Sequence, residues 1–253
     1  MKLGAQLYSV RHQAQNEADL AESFRRLREI GYEFVQLSGV ADTISAEYIG
    51  AISREYALPI TSTHTKFDRI LSDTARVIEE HKAMGAETVG LGWLAAEYRT
   101  EEGFAALKKM MQDPIARILD AGLRFSYHNH AFEFESKIGD ALLFDAMIDT
   151  WEGIDFIPDT YWIAFGGYDP IHYIKKIGGQ RIKNIHFKDM AKDEARSICA
   201  CGDGVLDFAA IANVCREEKI EYVLVEQDNA PSFPDAFEEM AKSYRHLKDI
   251  VLA

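Results

Sequence analysis

Four runs in the second half of the chain end in side chains that bind hard or borderline cations. They are Tyr127-His128-Asn129-His130-Ala131-Phe132-Glu133, Pro158-Asp159-Thr160-Tyr161-Trp162, Ile185-His186-Phe187-Lys188-Asp189 and Val225-Glu226-Gln227-Asp228. Each follows a short apolar or β-branched segment and precedes a helix-like one. A shared divalent cation explains why carboxylates and imidazoles would tolerate being collected at one point. Asp159, His186 and Glu226 stand directly after apolar runs, and this pattern predicts that they hold a metal together. In the first of the four runs, strand alternation puts Ser126, His128 and His130 on one face and Tyr127 and Asn129 on the other. His128 is best placed at the strand end, whereas Glu133 lies further out in a loop that can fold back. Glu133 is favoured for the fourth position, with His128 as the alternative. A carboxylate-rich set suits Mn²⁺ or Mg²⁺ and imidazoles lean toward Zn²⁺, Fe²⁺ or Mn²⁺. Mn²⁺ is therefore the expected ion, with Mg²⁺, Zn²⁺, Fe²⁺ and Co²⁺ as alternatives.

Such residues must be brought together by the elements around them, and the chain alternates strand and helix throughout. The strand-like runs are 3–10, 34–38, 59–64, 88–93, 123–130, 154–158, 182–188 and 222–226. The helix-like runs that follow are 17–30, 45–56, 70–84, 100–121, 140–150, 170–177, 208–217 and 233–252, the first closed by Gly31 and the third by Gly85. Asp113-Pro114 is expected to bend or restart the fourth helix. Eight such pairs in 253 residues predict the α/β class and a single (β/α)₈ TIM barrel occupying residues 1–253 as one domain. An open doubly wound sheet is the poorer fit, since Ser9-Val10-Arg11-His12 after the first strand is not a Gly-rich phosphate loop. In such a barrel the chemistry sits at the C-terminal strand ends. Gln6, Tyr8, Gln36, His64, Lys66 and Trp93 fall there in the first half, and the metal-capable groups in the second.

Composition narrows the partners. With 41 acidic and 28 basic residues the formal charge is −13, a balance that repels phosphate backbones and anionic lipid. No nucleic-acid or membrane partner is expected. No secretory signal is expected from the opening residues 1–11, and no apolar stretch approaches the ~18 residues of a bilayer span. Cys199, Cys201 and Cys215 read as free thiols, which fits a cytoplasmic location. His12 and His81 read as polar surface residues. Gly202-Asp203-Gly204 reads as a turn before the seventh helix and lacks the Lys and Ser/Thr of a phosphate loop.

The same four runs, the opening Leu3-Gly4-Ala5-Gln6-Leu7-Tyr8-Ser9 and the segment Gly202-Asp203-Gly204-Val205-Leu206-Asp207 together resemble the sugar phosphate isomerase/epimerase family. This family belongs to the xylose-isomerase-like barrel superfamily, with the inosose isomerases and dehydratases, ketose 3-epimerases and apurinic endonucleases. The resemblance spans nearly the whole chain and fixes no particular sugar. It implies a divalent metal held by the last four strands against adjacent oxygens of a ketose or keto-sugar. In the ketose epimerases two glutamates, from the fifth and eighth strands, exchange the proton beside the carbonyl. Glu226 matches the eighth-strand member, while the fifth-strand position falls near His128, where no carboxylate stands.

The expected function is a metal-dependent isomerase or epimerase acting on a ketose, keto-sugar or inosose through α-proton abstraction and a metal-stabilised enediolate. Glu226, Glu133 and His128 are the candidate proton-transfer residues. His64, Asn129, His130 and Lys188 are candidate substrate contacts, with Trp93 and Trp162 as an apolar wall for a sugar's C–H face. The missing fifth-strand carboxylate keeps a keto-sugar lyase or dehydratase open, and also a non-catalytic sugar-binding or partner subunit. A nuclease of the apurinic type is disfavoured by eight histidines in all and a charge of −13. The partner is a small sugar or cyclitol, and homo-oligomerisation is left open.

Overall fold

The computed structural model describes residues 1–252. Its framework is eight strands, β1 Lys2–Gln6, β2 Val35–Leu37, β3 Ile60–Thr63, β4 Thr88–Leu91, β5 Arg124–His128, β6 Asp155–Ile157, β7 Asn184–Phe187 and β8 Tyr222–Val225. All neighbours pair in parallel, in the order β6-β5-β4-β3-β2-β1-β8-β7. The ring closes between β6 and β7 through one parallel bridge, Asp159 to His186, where the His186 amide donates to the Pro158 carbonyl at 2.9 Å. This is a (β/α)₈ TIM barrel, and its seam lies where two of the expected ligands stand.

Eight principal helices enclose the sheet: α1 Glu17–Ile30, α2 Ala46–Glu55, α3 Thr74–Met84, α4 Glu101–Asp120, α5 Leu143–Thr150, α6 Pro170–Ile177, α7 Phe208–Glu217 and α8 Ala236–Val251. Side-chain oxygens cap their first free amides: Asn16 on α1, Ser45 on α2, Thr100 on α4, Asp169 on α6, Asp207 on α7 and Asp235 on α8. Gly85 ends α3 at φ +74°, a left-handed conformation that a Cβ disfavours. Most strand residues are buried because the helices cover one face and the barrel interior the other. No helix among the described residues is long and apolar enough to cross a membrane.

Three sequence expectations shift. The first strand stops at Gln6, whose side chain accepts from the Tyr8 amide at 3.2 Å and starts the 3₁₀ segment Leu7–Gln13. The third helical run is broken at Asp73 (φ −145°, ψ 49°) into Phe67–Ser72 and α3. Pro114, by contrast, does not restart α4, which runs unbroken from Glu101 to Asp120. Packing of buried Met111, Ile115 and Ile118 around it offsets the hydrogen bond that its missing N–H forgoes.

Candidate metal centre

His128, Asp159, His186 and Glu226 end four successive strands, and each offers one ligand atom within 4.8 Å of the others. All four are buried. Asp159 divides its two oxygens between tasks. Its Oδ1 accepts from the Trp162 amide at 2.9 Å and caps the helix Thr160–Phe165. Its Oδ2 faces His128 Nε2 at 3.4 Å, His186 Nδ1 at 3.6 Å and Lys188 Nζ at 3.2 Å. The cap fixes the carboxylate plane, and so its second oxygen is held toward the centre. His186 is fixed from the opposite side. Its Nε2 lies 2.6 Å from Gln36 Oε1, which also accepts from Gln6 Nε2 at 2.7 Å. Because an amide oxygen only accepts, the His186 ring proton belongs on Nε2, and Nδ1 is left facing Glu226 Oε2 at 2.9 Å.

The fit to a divalent ion follows from these atoms. Bond lengths of about 2.1 Å put neighbouring tetrahedral ligands ~3.4 Å apart and trans octahedral ones ~4.2 Å apart. Ligand atoms all within 4.8 Å of one another are gathered to near that spacing, so small side-chain shifts would bring them onto one ion. His186 Nδ1 and Glu226 Oε2 lie buried 2.9 Å apart without a well-formed hydrogen bond between them, a costly arrangement unless a cation or proton is shared by the two. His186 Nδ1 is where proton and metal compete. Burial disfavours the imidazolium, but Glu226 and Asp159 beside it outweigh that and raise its pKa.

Lys188 is the internal counter-ion. Its ammonium is buried and sits 2.9 Å from Glu226 Oε2 and 3.0 Å from Asp228 Oδ1, besides its contact with Asp159. Burial opposes the charges of Asp159 and Glu226, yet Lys188 holds both carboxyls well below the usual range. Asp228, further from the centre, is pushed up to about 6, by burial first and by Glu226. Lys188 thus pairs with Asp159 across the barrel and not with its chain neighbour Asp189. Asp189 instead accepts from the amides of Met190, Gly202, Gly204 and Leu206 at 2.8–3.1 Å. The Gly202-Asp203-Gly204 turn thus cradles an internal carboxylate, and a Cβ on Gly204 would come within 2.3 Å of Asp189 Oδ1.

Around the centre opens a cavity of about 700 Å³ whose wall includes Trp93, His64, His130, Trp162, Lys188 and Glu226. His64 and His130 are kept neutral, burial being the main cause and His128 the next. A hollow of about 780 Å³ between the β2 and β3 ends and α3 is walled by ion pairs such as Arg69–Glu80, and none of the four ligand residues lines it.

Two site expectations are corrected. Glu133 is not part of the ligand group. It lies fully buried, accepts from the His130 amide at 2.8 Å and shares a short hydrogen bond with the Tyr127 hydroxyl. Burial pushes its carboxyl up to about 8. The short helix Phe132–Glu135 turns the residue back under its own strand, so it braces the β5 end while His128 takes the fourth position. Asn129 does not reach the cavity either. Its Oδ1 accepts from the Asp159 amide at 3.0 Å, as its place on the opposite face of the strand requires. Sequence reasoning also missed His81, which is buried with Nδ1 2.7 Å from the Val77 carbonyl and Nε2 2.8 Å from Thr63 Oγ1. Its signal was its helical spacing with Val77 and Met84, both buried in α3.

The fold and the buried His-Asp-His-Glu group define a TIM barrel with a candidate metal centre at its C-terminal face. The chain belongs to the xylose isomerase-like TIM barrel family, whose model matches residues 24–250. An inosose dehydratase of Lacticaseibacillus casei is 24% identical over 148 residues, 52% of this chain and 49% of that protein. The chain therefore spans about half the length of the curated relatives it matches. A sugar phosphate isomerase/epimerase from Parabacteroides distasonis superposes with a TM-score of 0.80 at 20% identity, covering 98% of this chain and 93% of that one. An IOLI protein with a bound zinc atom superposes at 0.77 and 14% identity, covering 99% and 98%.

Proposed function

We propose that this protein is a divalent-metal-dependent enzyme that moves the proton beside the carbonyl of a ketose, keto-sugar or inosose. The observation that carries this reading is the grouping of His128, Asp159, His186 and Glu226, two of which, His128 and Glu226, line a 700 Å³ cavity. A divalent ion held there supplies Lewis-acid polarisation of the substrate's carbonyl. Glu226, ionised beside Lys188 and lining the cavity, is the base that takes the α-proton. Lys188 Nζ, whose three N–H groups face Asp159, Glu226 and Asp228 within 3.2 Å, keeps Glu226 ionised and steadies the negative charge that develops beside it. His64 and His130 are neutral imidazoles on the cavity wall and orient hydroxyls as donors or acceptors. Two imidazoles and two carboxylates suit Zn²⁺, Fe²⁺ or Mn²⁺.

A dehydratase is the second reading, favoured by one residue. The fifth-strand position holds His128 and not a second carboxylate, so one strong base faces the substrate. A single base suits removal of an α-proton with loss of a β-hydroxyl as well as it suits isomerisation, and the partial likeness to inosose dehydratases points the same way. Incubating protein loaded separately with Zn²⁺ or Mn²⁺ in D₂O with ketoses, 3-keto-sugars and inososes separates the two. Deuterium beside the carbonyl with the formula otherwise intact supports an isomerase or epimerase, and loss of water supports the dehydratase. Absence of both across the panel rejects the proposal.

A further inference from the structure

The cavity is larger than the chemistry at its floor needs. A hexose has twelve heavy atoms and, even at the ~30 Å³ each that water occupies in the liquid, fills no more than ~360 Å³. The cavity holds about 700 Å³. One side of the surplus, opposite Ser38, Thr65 and Lys66, is aromatic. The His130 ring meets His128 edge-on at 4.8 Å, stacks on Phe132 at 5.4 Å and 10°, and meets Trp93 edge-on at 4.9 Å. Trp93 and Phe132 are 5.1 Å apart, also edge-on. A continuous ring surface therefore leads from a ligand residue on the floor to the lip.

That surface is braced. The Arg99 guanidinium lies 3.4 Å from the Phe132 centroid and 5.3 Å from that of Trp93. Its Nε and a terminal nitrogen donate to the Leu94 carbonyl at 3.1 and 2.7 Å, tying the loop after β4 to the helix Phe132–Glu135. Trp93 is nevertheless 57% exposed, unusual for so large an apolar side chain. A rigid, half-exposed indole beside an oversized pocket is a surface made to be covered by a ligand.

The charges define what covers it. Lys66 and Lys188 are the cations on the cavity wall, and both are engaged, Lys66 by Asp42 and Lys188 by Asp159, Glu226 and Asp228. Glu135, Glu226 and Asp228 line the same space. A phosphate on this wall would meet three carboxylates and two lysines already paired, with Arg99 held behind the rings by the Leu94 carbonyl. A second sugar ring would need partners for its hydroxyls along a wall of rings.

We propose that the substrate is an unphosphorylated keto-sugar derivative carrying an apolar ring, an aryl glycoside of a keto-sugar in class, whose sugar sits at the four-residue centre and whose ring lies on the exposed indole of Trp93. This rests on the placement of the sugar at that centre under the proposed function.

Binding without turnover tests it. Isothermal titration of the Zn²⁺-supplemented protein with phenyl β-D-glucoside, methyl β-D-glucoside, cellobiose and glucose 6-phosphate compares a shared sugar with four extensions. The phenyl glucoside should bind roughly tenfold tighter than the methyl glucoside, the range expected for burying one aromatic contact. Trp93→Ala should bring that ratio close to one, and Trp93→Phe should restore most of it, with melting temperature as the check on folding. Equal affinity for the phenyl and methyl compounds, or tighter binding of cellobiose or glucose 6-phosphate, overturns the inference. A phenyl preference in a protein that exchanges no deuterium with any ketone sustains the inference and rejects only the α-proton reading.

Discussion

The two halves of the barrel rim divide the labour of the centre. Strands β5 to β8 end in His128, Asp159, His186 and Glu226, with Lys188 and Asp228 close by. Strands β1 to β4 end in neutral amides, an uncharged imidazole and an exposed indole: Gln6, Gln36, His64 and Trp93. The first half holds none of the four candidate ligands, yet it sets one of them, because Gln6 and Gln36 fix the His186 ring from across the barrel. Charge is therefore concentrated on one side, and the geometry of that charge is imposed from the other. A centre of this kind is damaged in different ways from its two sides.

The largest effect should come from the charged half. Glu226→Gln removes both a ligand charge and the proposed base, so metal content falls and α-proton exchange drops by ~10²–10⁴-fold. Elemental analysis and deuterium exchange on one preparation measure both. Normal values of each would remove Glu226 from the centre and leave the two halves chemically alike.

Next is Lys188→Met, which strips the ammonium from three carboxylates at a buried site. Urea unfolding in the presence of a chelator should show a loss of about 3–5 kcal/mol, as when one partner of a buried ion pair is deleted. Added Zn²⁺ should recover part of it by supplying the missing positive charge. Equal losses with chelator and with Zn²⁺ would mean that ammonium and metal do not share the carboxylates.

The neutral half should show itself through affinity. Gln36→Leu leaves His186 Nε2 without its acceptor and frees the ring to turn, which should weaken Zn²⁺ binding roughly 10–100-fold while the fold persists. Calorimetric titration with Zn²⁺ reads this directly. Unchanged affinity would show that the charged half orients itself.

The smallest effects sharpen the contrast through pH. Glu133 has its pKa raised to about 8 in the fold, so the folded protein keeps a proton that the unfolded chain has lost above about 4.5. Its contribution is fully present below pH 4.5 and is lost as pH rises through 8. His81, in the first half, is lowered to about 4 by burial. Its contribution is present above about 6.5 and is lost as pH falls through 4. Melting curves between pH 4 and 9 should fall off more gently on the alkaline side in Glu133→Gln and on the acid side in His81→Gln. Unaltered slopes in both variants would mean that neither group titrates differently on folding.

Much of this was legible in the chain. Eight alternations of apolar run and amphipathic helix specify the barrel, because strands covered on both faces must be apolar throughout and their helices half so. Once the barrel is fixed, residues ending consecutive strands meet whatever their separation along the chain, and Asp159, His186 and Glu226 could be picked out together. Period-two alternation likewise puts His128 and His130 on one strand face and Asn129 on the other, and the structure turns the first toward the cavity.

What the chain could not settle by itself was every choice that depends on where a loop turns. Glu133 and His128 are both metal-capable and five residues apart, and only the helix Phe132–Glu135, folding Glu133 back onto Tyr127, gives the fourth position to His128. Lys188 beside Asp228, and Gln36 against His186 across 150 residues of chain, are pairings between strands that local spacing does not encode. Periodicity determines the face on which a side chain emerges, since backbone geometry alone sets it. The partner that side chain meets across the barrel is decided by packing of the whole ring, down to the single Asp159–His186 bridge that closes it.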